Sequence, residues 1–502
     1  MRYGFVIDQT RCIGCHACTV ACKEEHQVPL GVFRTWVKYV EKGEYPHTSR
    51  HFGVMRCNHC DSAPCVTICP TKALYRRSDG IIDFDNQRCI GCKSCMQACP
   101  YDALYIDPNS NTAAKCNFCA HRVETGLEPA CVIVCPTQAI LAGDLDDRSS
   151  NVGRVVATQK VSVRKPGKET KPKLYYVGIE EDLLRPTRLA RENGYAFAEQ
   201  RDARPASANF DPAVTREVYD VAHPAPWGWK IAAYLWTKSI AAGVMMVAAL
   251  VMAGAGNSSL RILSLGSPII ALIALSVTMA LLVFDLKRPD RFYYLLTKPN
   301  FRSWLVLGAY ILMAFGALCV VWLLYAVFTG FVPGIVLALA AILGAASACY
   351  SAFLFAQAKG RDFWHSKWIF CLHLLLQALV AGSATLEISA MMGDPHMPLW
   401  FLPIPQLLTL SLILGLVTVL IEMAIPRRSE DARRAKRVLL RGDLSGRFWL
   451  SAGVMGVVFP LALLVLAFPF QLALGTAAVL ALYGLFWFEY LWVKAGQVVP
   501  LS

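Results

Sequence analysis

Charged side chains are scarce in this chain. They make up 17% of its 502 residues, while 55% are hydrophobic and the mean hydropathy is +0.41. Soluble domains carry roughly a quarter charged residues, so a disordered chain and a wholly soluble enzyme are both excluded. The length suits two or three domains. No apolar leader opens the chain: Cys12 follows almost at once on Met1–Asp8, and no twin-arginine pair precedes it. The N-terminal region is therefore expected to stay on the side where it is made. Cysteine is nearly absent from the second half. Of 19 cysteines, sixteen lie between Cys12 and Cys135 and three (Cys319, Cys349, Cys371) lie beyond residue 300. In a reducing compartment so dense a set is not expected to form disulfides, which leaves metal binding.

Charge divides the chain as well. Residues 1–225 hold 29 Lys+Arg and 26 Asp+Glu, whereas residues 226–502 hold 20 and 10. The excess of positive charge thus falls in the more apolar half, as in the loops of a membrane protein, and no nucleic-acid partner is expected. Eight long apolar runs follow: 231–255, 262–284, 304–328, 332–357, 368–391, 399–424, 448–468 and 470–493. Each approaches the roughly 20 residues that cross a bilayer. The seventh and eighth meet at Phe468-Pro469-Phe470, where one long kinked helix competes with a tight turn between two spans. The loops on the N-terminal side carry 18 basic residues and the opposite side carries one, Arg261. The positive-inside rule then places the cysteine region and both termini on the cytoplasmic side; the membrane expected is the inner membrane of a bacterium or archaeon. Residues 196–226 read as a surface linker, with Arg204-Pro205 and His223-Pro224-Ala225-Pro226. The predicted organisation is a cysteine domain over 1–195, that linker, and a membrane domain over 227–502.

The sixteen cysteines fall into four groups. They are Cys12-x2-Cys15-x2-Cys18-x3-Cys22, Cys57-x2-Cys60-x4-Cys65-x3-Cys69-Pro70, Cys89-x2-Cys92-x2-Cys95-x3-Cys99-Pro100 and Cys116-x2-Cys119-x11-Cys131-x3-Cys135-Pro136. A C-x2-C-x2-C loop wraps three thiolates about one cubane cluster, and the last cysteine of the group ligates the partner cluster. Four groups then make two pairs and four [4Fe–4S] clusters. The second and third groups exchange their last cysteines, giving Cys57, Cys60, Cys65 with Cys99, and Cys89, Cys92, Cys95 with Cys69. By elimination the first and fourth pair, giving Cys12, Cys15, Cys18 with Cys135, and Cys116, Cys119, Cys131 with Cys22. Zinc is the competing reading, but zinc sites favour separated C-x2-C pairs, often with histidine, and sixteen cysteines already fill sixteen positions. His16, His59 and His121 are accordingly expected near the groups without being ligands. Strands are predicted at Tyr3–Ile7, Ile81–Phe84, Leu104–Asp107 and Leu174–Gly178. Two of them precede C-x2-C-x2-C loops, an internal duplication. A row of clusters in one small domain serves to move single electrons over a distance.

On these four groups, including Arg56-Cys57-Asn58-His59-Cys60 and Lys115-Cys116-Asn117-Phe118-Cys119, residues 1–195 resemble the four-cluster ferredoxin subunits of the dimethyl-sulfoxide-reductase family. Such subunits wire a molybdopterin enzyme to a membrane subunit; some relatives lose a cysteine and hold a three-iron cluster, which this chain does not. Residues 227–502 resemble the NrfD/polysulfide-reductase membrane subunits that exchange electrons with quinone. The matching stretches are Pro226-Trp227-Gly228-Trp229-Lys230, Asp285-Leu286-Lys287-Arg288-Pro289 and Ala495-Gly496-Gln497-Val498-Val499-Pro500-Leu501-Ser502. The fold class expected is an α+β ferredoxin-like domain with tandem cluster loops, followed by an all-α bundle of eight transmembrane helices. The implied partners are a separate Mo/W catalytic subunit, with a higher oligomer of the complex admitted, and the menaquinone or ubiquinone pool. No molybdopterin-binding domain fits in the remaining length, so the chain reads as a component of an oxidoreductase.

Ionisable groups inside a bilayer are costly and point to function. A quinone site near the cytoplasmic face would draw on Tyr234, Lys238, Asp285, Arg288, His373, Gln377 and Glu422, with Lys, His and Tyr donating and the carboxylates relaying protons. Structural readings compete at each. Lys238 could snorkel to the interface; Asp285 and Arg288 could anchor a loop; His373 and Gln377, one turn apart, could glue helices; Glu422 and Glu489 could pair with basic loops. His365 and His373 are the only histidines near one face here, and no haem is expected. Cys319, Cys349 and Cys371 read as packing residues. A redox-driven ion pump, with a path through Glu387, Glu422 and Glu489, is the alternative function.

Overall fold

The computed structural model describes residues 1–43, 46–190, 215–255, 262–393, 403–425 and 429–502. Residues 196–214 of the expected linker, and the basic residues Arg261, Arg427 and Arg428, lie outside them. The chain divides into two compact units, residues 1–224 with Pro500–Ser502, and Ala225–Val499. The last three residues thus group with the first unit, not with the membrane half where the sequence reading put them.

The first unit is built on β1 (Tyr3–Asp8), an unbroken apolar run whose Phe5, Val6 and Ile7 are all buried. Buried on both faces, it takes an inner position in a four-stranded sheet of order β8-β1-β10-β9. It runs antiparallel to β8 (Ile140–Asp144) and parallel to β10 (Leu174–Val177), with β9 (Val161–Ser162) at the edge. Two short hairpins, β4–β5 (Leu74–Arg76, Ile82–Phe84) and β6–β7 (Leu104–Ile106, Ala113–Lys115), lead towards the third and fourth cysteine groups. All four strands expected from the sequence are present. A third sheet was not expected: β2 (Thr35–Lys42) and β3 (Ser49–Arg56) pair from Thr35↔Arg56 to Lys42↔Ser49, and β11 (Arg216–Tyr219) adds to β2. The strand β11 falls inside the stretch read as linker. The reason is electrostatic. Lys38, in the middle of β2, is wholly buried, and Glu217 (2.6 Å) and Asp220 (3.1 Å) from that stretch neutralise it. A buried lysine needs such partners. Five short helices follow the cysteine groups or sit within them: α1 (Ala17–Glu25), α2 (Pro64–Ile68), α3 (Ser94–Ala98), α4 (Ala120–Val123) and α5 (Ala130–Ile133). Nine of the sixteen cysteines pack into the core with Phe5, Ile7, Val37, Val54, Ile68 and Phe118, while Cys15 is exposed.

The second unit holds eight helices long and apolar enough to span a membrane: Trp229–Gly254, Leu263–Asp285, Trp304–Thr329, Gly334–Gln357, Lys367–Met391, Ile404–Ala424, Ser445–Leu466 and Gln471–Val498. The first is the most enclosed, 83% buried over its most apolar window against 22% for the seventh, so it is the axis about which the others pack. The outer helices present apolar side chains such as Ile273, Val277, Phe328, Leu420 and Leu466 outwards, as lipid-facing surfaces do. The helices cross where glycines allow it: a Cβ on Gly243 would stand 1.7 Å from the Ala378 carbonyl, and one on Gly484 2.0 Å from the Gly456 Cα. The chain does turn at Phe468-Pro469, between a helix ending at Leu466 and one starting at Gln471. The seventh span begins in wide π-helical geometry over Phe448–Val458 and returns to α over Phe459–Leu466. Pro460 brings no N–H to close a turn, and the wider winding lies just upstream of it.

Candidate metal centres and membrane pocket

The four cysteine groups share a local backbone device. The residue before the second cysteine is left-handed in every group: Gly14 (φ 68), His59 (φ 42), Gly91 (φ 67) and Phe118 (φ 64). In the two C-x2-C-x2-C loops the residue directly after the second cysteine, His16 (φ 61) or Lys93 (φ 63), is left-handed too. Bulky residues rarely take this conformation and do so where function holds them. The result is a tight loop whose N–H groups point inward at sulfur. Thus Gly91 and Ala113 donate to the Cys89 Sγ at 3.4 and 3.3 Å, and Ala139 donates to the Cys135 Sγ at 3.3 Å.

The neighbours of the cysteines can be sorted into the four expected sets, with approaches between sets as well. Cys12 faces Cys135 and Cys15, and Cys18 faces Cys131 and Cys12; Cys22 faces Cys116, Cys131 and Cys119. Cys65 faces Cys99, Cys57 and Cys60, and Cys95 faces Cys92, Cys89, Cys69 and Cys65. Two sets line recognisable cavities: Cys69, Cys89, Cys92 and Cys95 one of ≈ 380 Å³, and Cys12, Cys15, Cys18 and Cys135 one of ≈ 320 Å³. Among the described residues, no three His, Cys, Asp or Glu side chains converge as a single metal ion would need; a four-iron cube takes its ligands farther apart. Burial pushes the Cys18 and Cys99 thiols up to about 11 and those of Cys92 and Cys119 up to about 12. Such thiols ionise only against strong positive charge, which bound iron supplies.

The histidines near these sets make other contacts. His59 is buried, and its Nδ1 accepts from the Ile82 N–H at 3.2 Å. His121 Nε2 meets Glu25 at 2.6 Å, and His16 packs against Tyr39 and Tyr219. Sequence reasoning missed three residues. His26 Nε2 lies 3.2 Å from the Cys119 Sγ. Arg56 is wholly buried and donates to the Cys131 Sγ at 3.0 Å. Lys115 is also wholly buried and donates to the carbonyls of Cys116 (2.8 Å) and Ile82. A signal was available for the last two, since each directly precedes a C-x2-C pair.

In the membrane unit the seven expected residues separate into three places. Lys238 is wholly buried and does not snorkel: its Nζ donates to the Ala348 carbonyl (2.9 Å) and the Ser351 hydroxyl (2.8 Å) and lies 4.8 Å over the Tyr350 ring. Tyr234 adjoins the same Tyr350 and Ser351. Glu489 faces Lys238; it is 2% exposed and neither carboxylate oxygen has a hydrogen bond, so it is not paired with a basic loop. His373 and Gln377 are both buried on one face of the fifth span, beside a cavity of ≈ 720 Å³. Phe488 stacks on the His373 ring at 4.7 Å, and Glu422 comes within 3.9 Å of its Nδ1. The His373 Nδ1 and Gln377 Oε1 have no hydrogen-bond partner. Phe448, Trp449, Ala452, Gly453, Gly456 and Val457 of the π-helical stretch form the opposite wall, a use of π geometry that recurs at functional sites. Arg288 forks onto Asp290 at 2.9 and 2.8 Å, beyond the end of the second span that carries Asp285. Glu387 is buried in the fifth span. Cys319 is buried, and Cys349 donates to the Cys371 carbonyl at 3.5 Å, both consistent with packing.

These features define an iron–sulfur protein joined in one chain to a multi-pass membrane protein. The family descriptions agree: residues 9–25 match a 4Fe-4S binding domain, residues 49–145 a 4Fe-4S dicluster domain and residues 217–500 the polysulphide reductase, NrfD family. The chain belongs to the NrfD polysulphide reductase family, with an N-terminal iron–sulfur ferredoxin domain. That domain is 44% identical over 189 residues to a tetrathionate reductase subunit of Salmonella typhimurium, covering 37% of this chain and 76% of that protein. It is 42% identical over 179 residues to a polysulfide reductase polypeptide of Wolinella succinogenes (35% and 94%). The thiosulfate reductase electron transfer subunit PhsB of Salmonella typhi is 45% identical over 163 residues (32% and 84%).

Proposed function

We propose that this chain relays electrons through four [4Fe–4S] clusters between a separate molybdopterin (Mo/W) catalytic subunit and the membrane quinone pool. The observation that carries the reading is the union, in one chain, of four cysteine sets with a membrane unit whose buried His373 and Gln377 border a long apolar cavity. On this reading one cluster is held by each of Cys12/Cys15/Cys18/Cys135, Cys22/Cys116/Cys119/Cys131, Cys57/Cys60/Cys65/Cys99 and Cys69/Cys89/Cys92/Cys95. When bound, such clusters accept and release one electron at a time.

His373 and Gln377 offer hydrogen-bonding groups to a ring seated against Phe488, with Glu422 beside them for proton exchange. The cavity continues between Leu412, Val457 and Ala481, an apolar corridor suited to an isoprenoid tail. Tyr234, Lys238 and Glu489 form a second buried polar knot that holds or moves a proton, and Asp285 and Arg288 act at the span end. Nineteen basic residues lie between or beside the apolar runs of the sequence, 18 of them on the side assigned to the cysteine unit. That supports a cytoplasmic position for the unit at the inner membrane.

The test uses membranes holding the protein with its native partners. The clusters are reduced with dithionite, recorded by low-temperature EPR, and exposed to a water-soluble menaquinone or ubiquinone analogue. Rapid reoxidation, blocked by a quinone-site inhibitor and slowed in Lys238→Ala and His373→Ala, is expected. Reducible clusters that ignore every quinone would sink the reading. The ion-pump alternative rests on Glu387, Glu422 and Glu489, all buried within spans; proton uptake by vesicles that needs reduced clusters but no quinone would favour it.

A further inference from the structure

Arg56 is a buried cation without a buried carboxylate. It is fully enclosed, and among the described residues no Asp or Glu pairs with it. Its Nη1 reaches the Cys131 Sγ at 3.0 Å, its guanidinium lies 4.6 Å over the Phe5 ring, and its Nε and Nη2 have no partner at all. A guanidinium left this way is strongly disfavoured, so the fold must supply an anion. The groups that face it are Cys131, Cys116 and Cys18, with Cys22 close by. They belong to two of the four sets, so Arg56 stands between the Cys22/Cys116/Cys119/Cys131 set and the Cys12/Cys15/Cys18/Cys135 set. The charge it lacks is the thiolate and sulfide charge of two bound clusters. Gaining an electron adds one negative charge and makes or breaks no bond. A fixed cation at hydrogen-bond distance favours that form most, and the low-dielectric setting magnifies the effect.

We propose that Arg56 raises the reduction potentials of the clusters held by these two sets, most strongly at the Cys131 set, above the values they take without its charge. The inference rests on the four-cluster reading, which iron content and EPR spin counts on the same samples test separately. Redox titrations followed by EPR compare full-length wild type, Arg56→Gln and Arg56→Lys in membranes. Arg56→Gln is expected to lower the equilibrium constant for reducing two clusters by at least about tenfold, which is about 59 mV for a one-electron couple. The other two should move less than about threefold, and Arg56→Lys should restore at least half of the loss. A full cluster complement with unmoved potentials, or four equal shifts, would overturn the proposal. A further variant identifies the cluster. Cys131→Ser changes the EPR signature of one cluster and so marks it; if the marked cluster is not one of those that Arg56→Gln shifts, the proposal is wrong. Fewer than four clusters in wild type would instead overturn the reading beneath it.

Discussion

Single residues decide much of this molecule, and those that matter most are charges in places where charges are expensive. Lys238 and Glu489 face each other inside the membrane unit. They are not in ion-pair contact, and Glu489 has no hydrogen bond, so removing Lys238 leaves a buried carboxyl without the cation it faces, which costs about 1–3 kcal/mol, whereas removing both costs less. Lys238→Met is therefore expected to lower unfolding stability in detergent by about that amount, and Lys238→Met with Glu489→Gln to recover most of it; a double variant no better than the single would dissolve the pair. His223 offers a pH handle in the first unit. Burial opposes its charge, but Asp102 at 3.0 Å and Asp220 at 3.6 Å outweigh burial and raise it from 6.5 to about 9. The stabilisation, about 3 kcal/mol at about 1.36 kcal/mol per unit, is complete below 6.5 and is lost as pH rises through 9. Thermal loss of the iron–sulfur absorbance should thus fall to lower temperature between pH 6.5 and 9, and His223→Gln should flatten that dependence. None of this could be read from residue types alone, since Lys238 and His223 become informative only through what folds against them.

At the scale of elements, the cysteine loops and the helix crossings show opposite degrees of legibility. The spacing of the four groups implied which cysteines share a set, because a short loop can wrap only one centre and its fourth ligand must arrive from elsewhere; in the fold Cys22 faces Cys116, Cys131 and Cys119, and Cys65 faces Cys99, Cys57 and Cys60. The β2–β3–β11 sheet was missed because a buried Lys38 disguises the alternation of β2. The π-helical start of the seventh span was missed too, since its composition is that of any apolar helix. The crossing of the first and fifth spans rests on Gly243 and Gly382, whose backbones touch. Gly243→Ala would drive a methyl group into the Ala378 carbonyl and is expected to cost about 1–3 kcal/mol as the helices part. A lowered thermal midpoint in detergent checks this; an unchanged midpoint would mean the crossing is free to adjust.

For the whole molecule, iron and orientation are the properties to measure. Four clusters require about 16 iron atoms per chain, and a purified sample with only half that number would remove two of the proposed sets. The asymmetry of basic residues predicts that reporters fused at either terminus report a cytoplasmic position, and that Arg261 lies on the far side. A reporter active only outside the cell would reverse the assignment. The eight spans were all visible in the sequence, because a bilayer imposes length and apolarity on each segment by itself.

The sequence alone therefore determined the two-part organisation, the number of spans and the family, since each is written in local spacing or local composition. Only the tertiary structure decided where the interior charges and the pocket lie. Arg56 between two cysteine sets, Lys238 against Glu489, and His373 with Gln377 beside a cavity walled by a π-helical turn are juxtapositions of residues far apart in the chain. Their energies come from burial and from neighbours, and neither exists before the chain has folded.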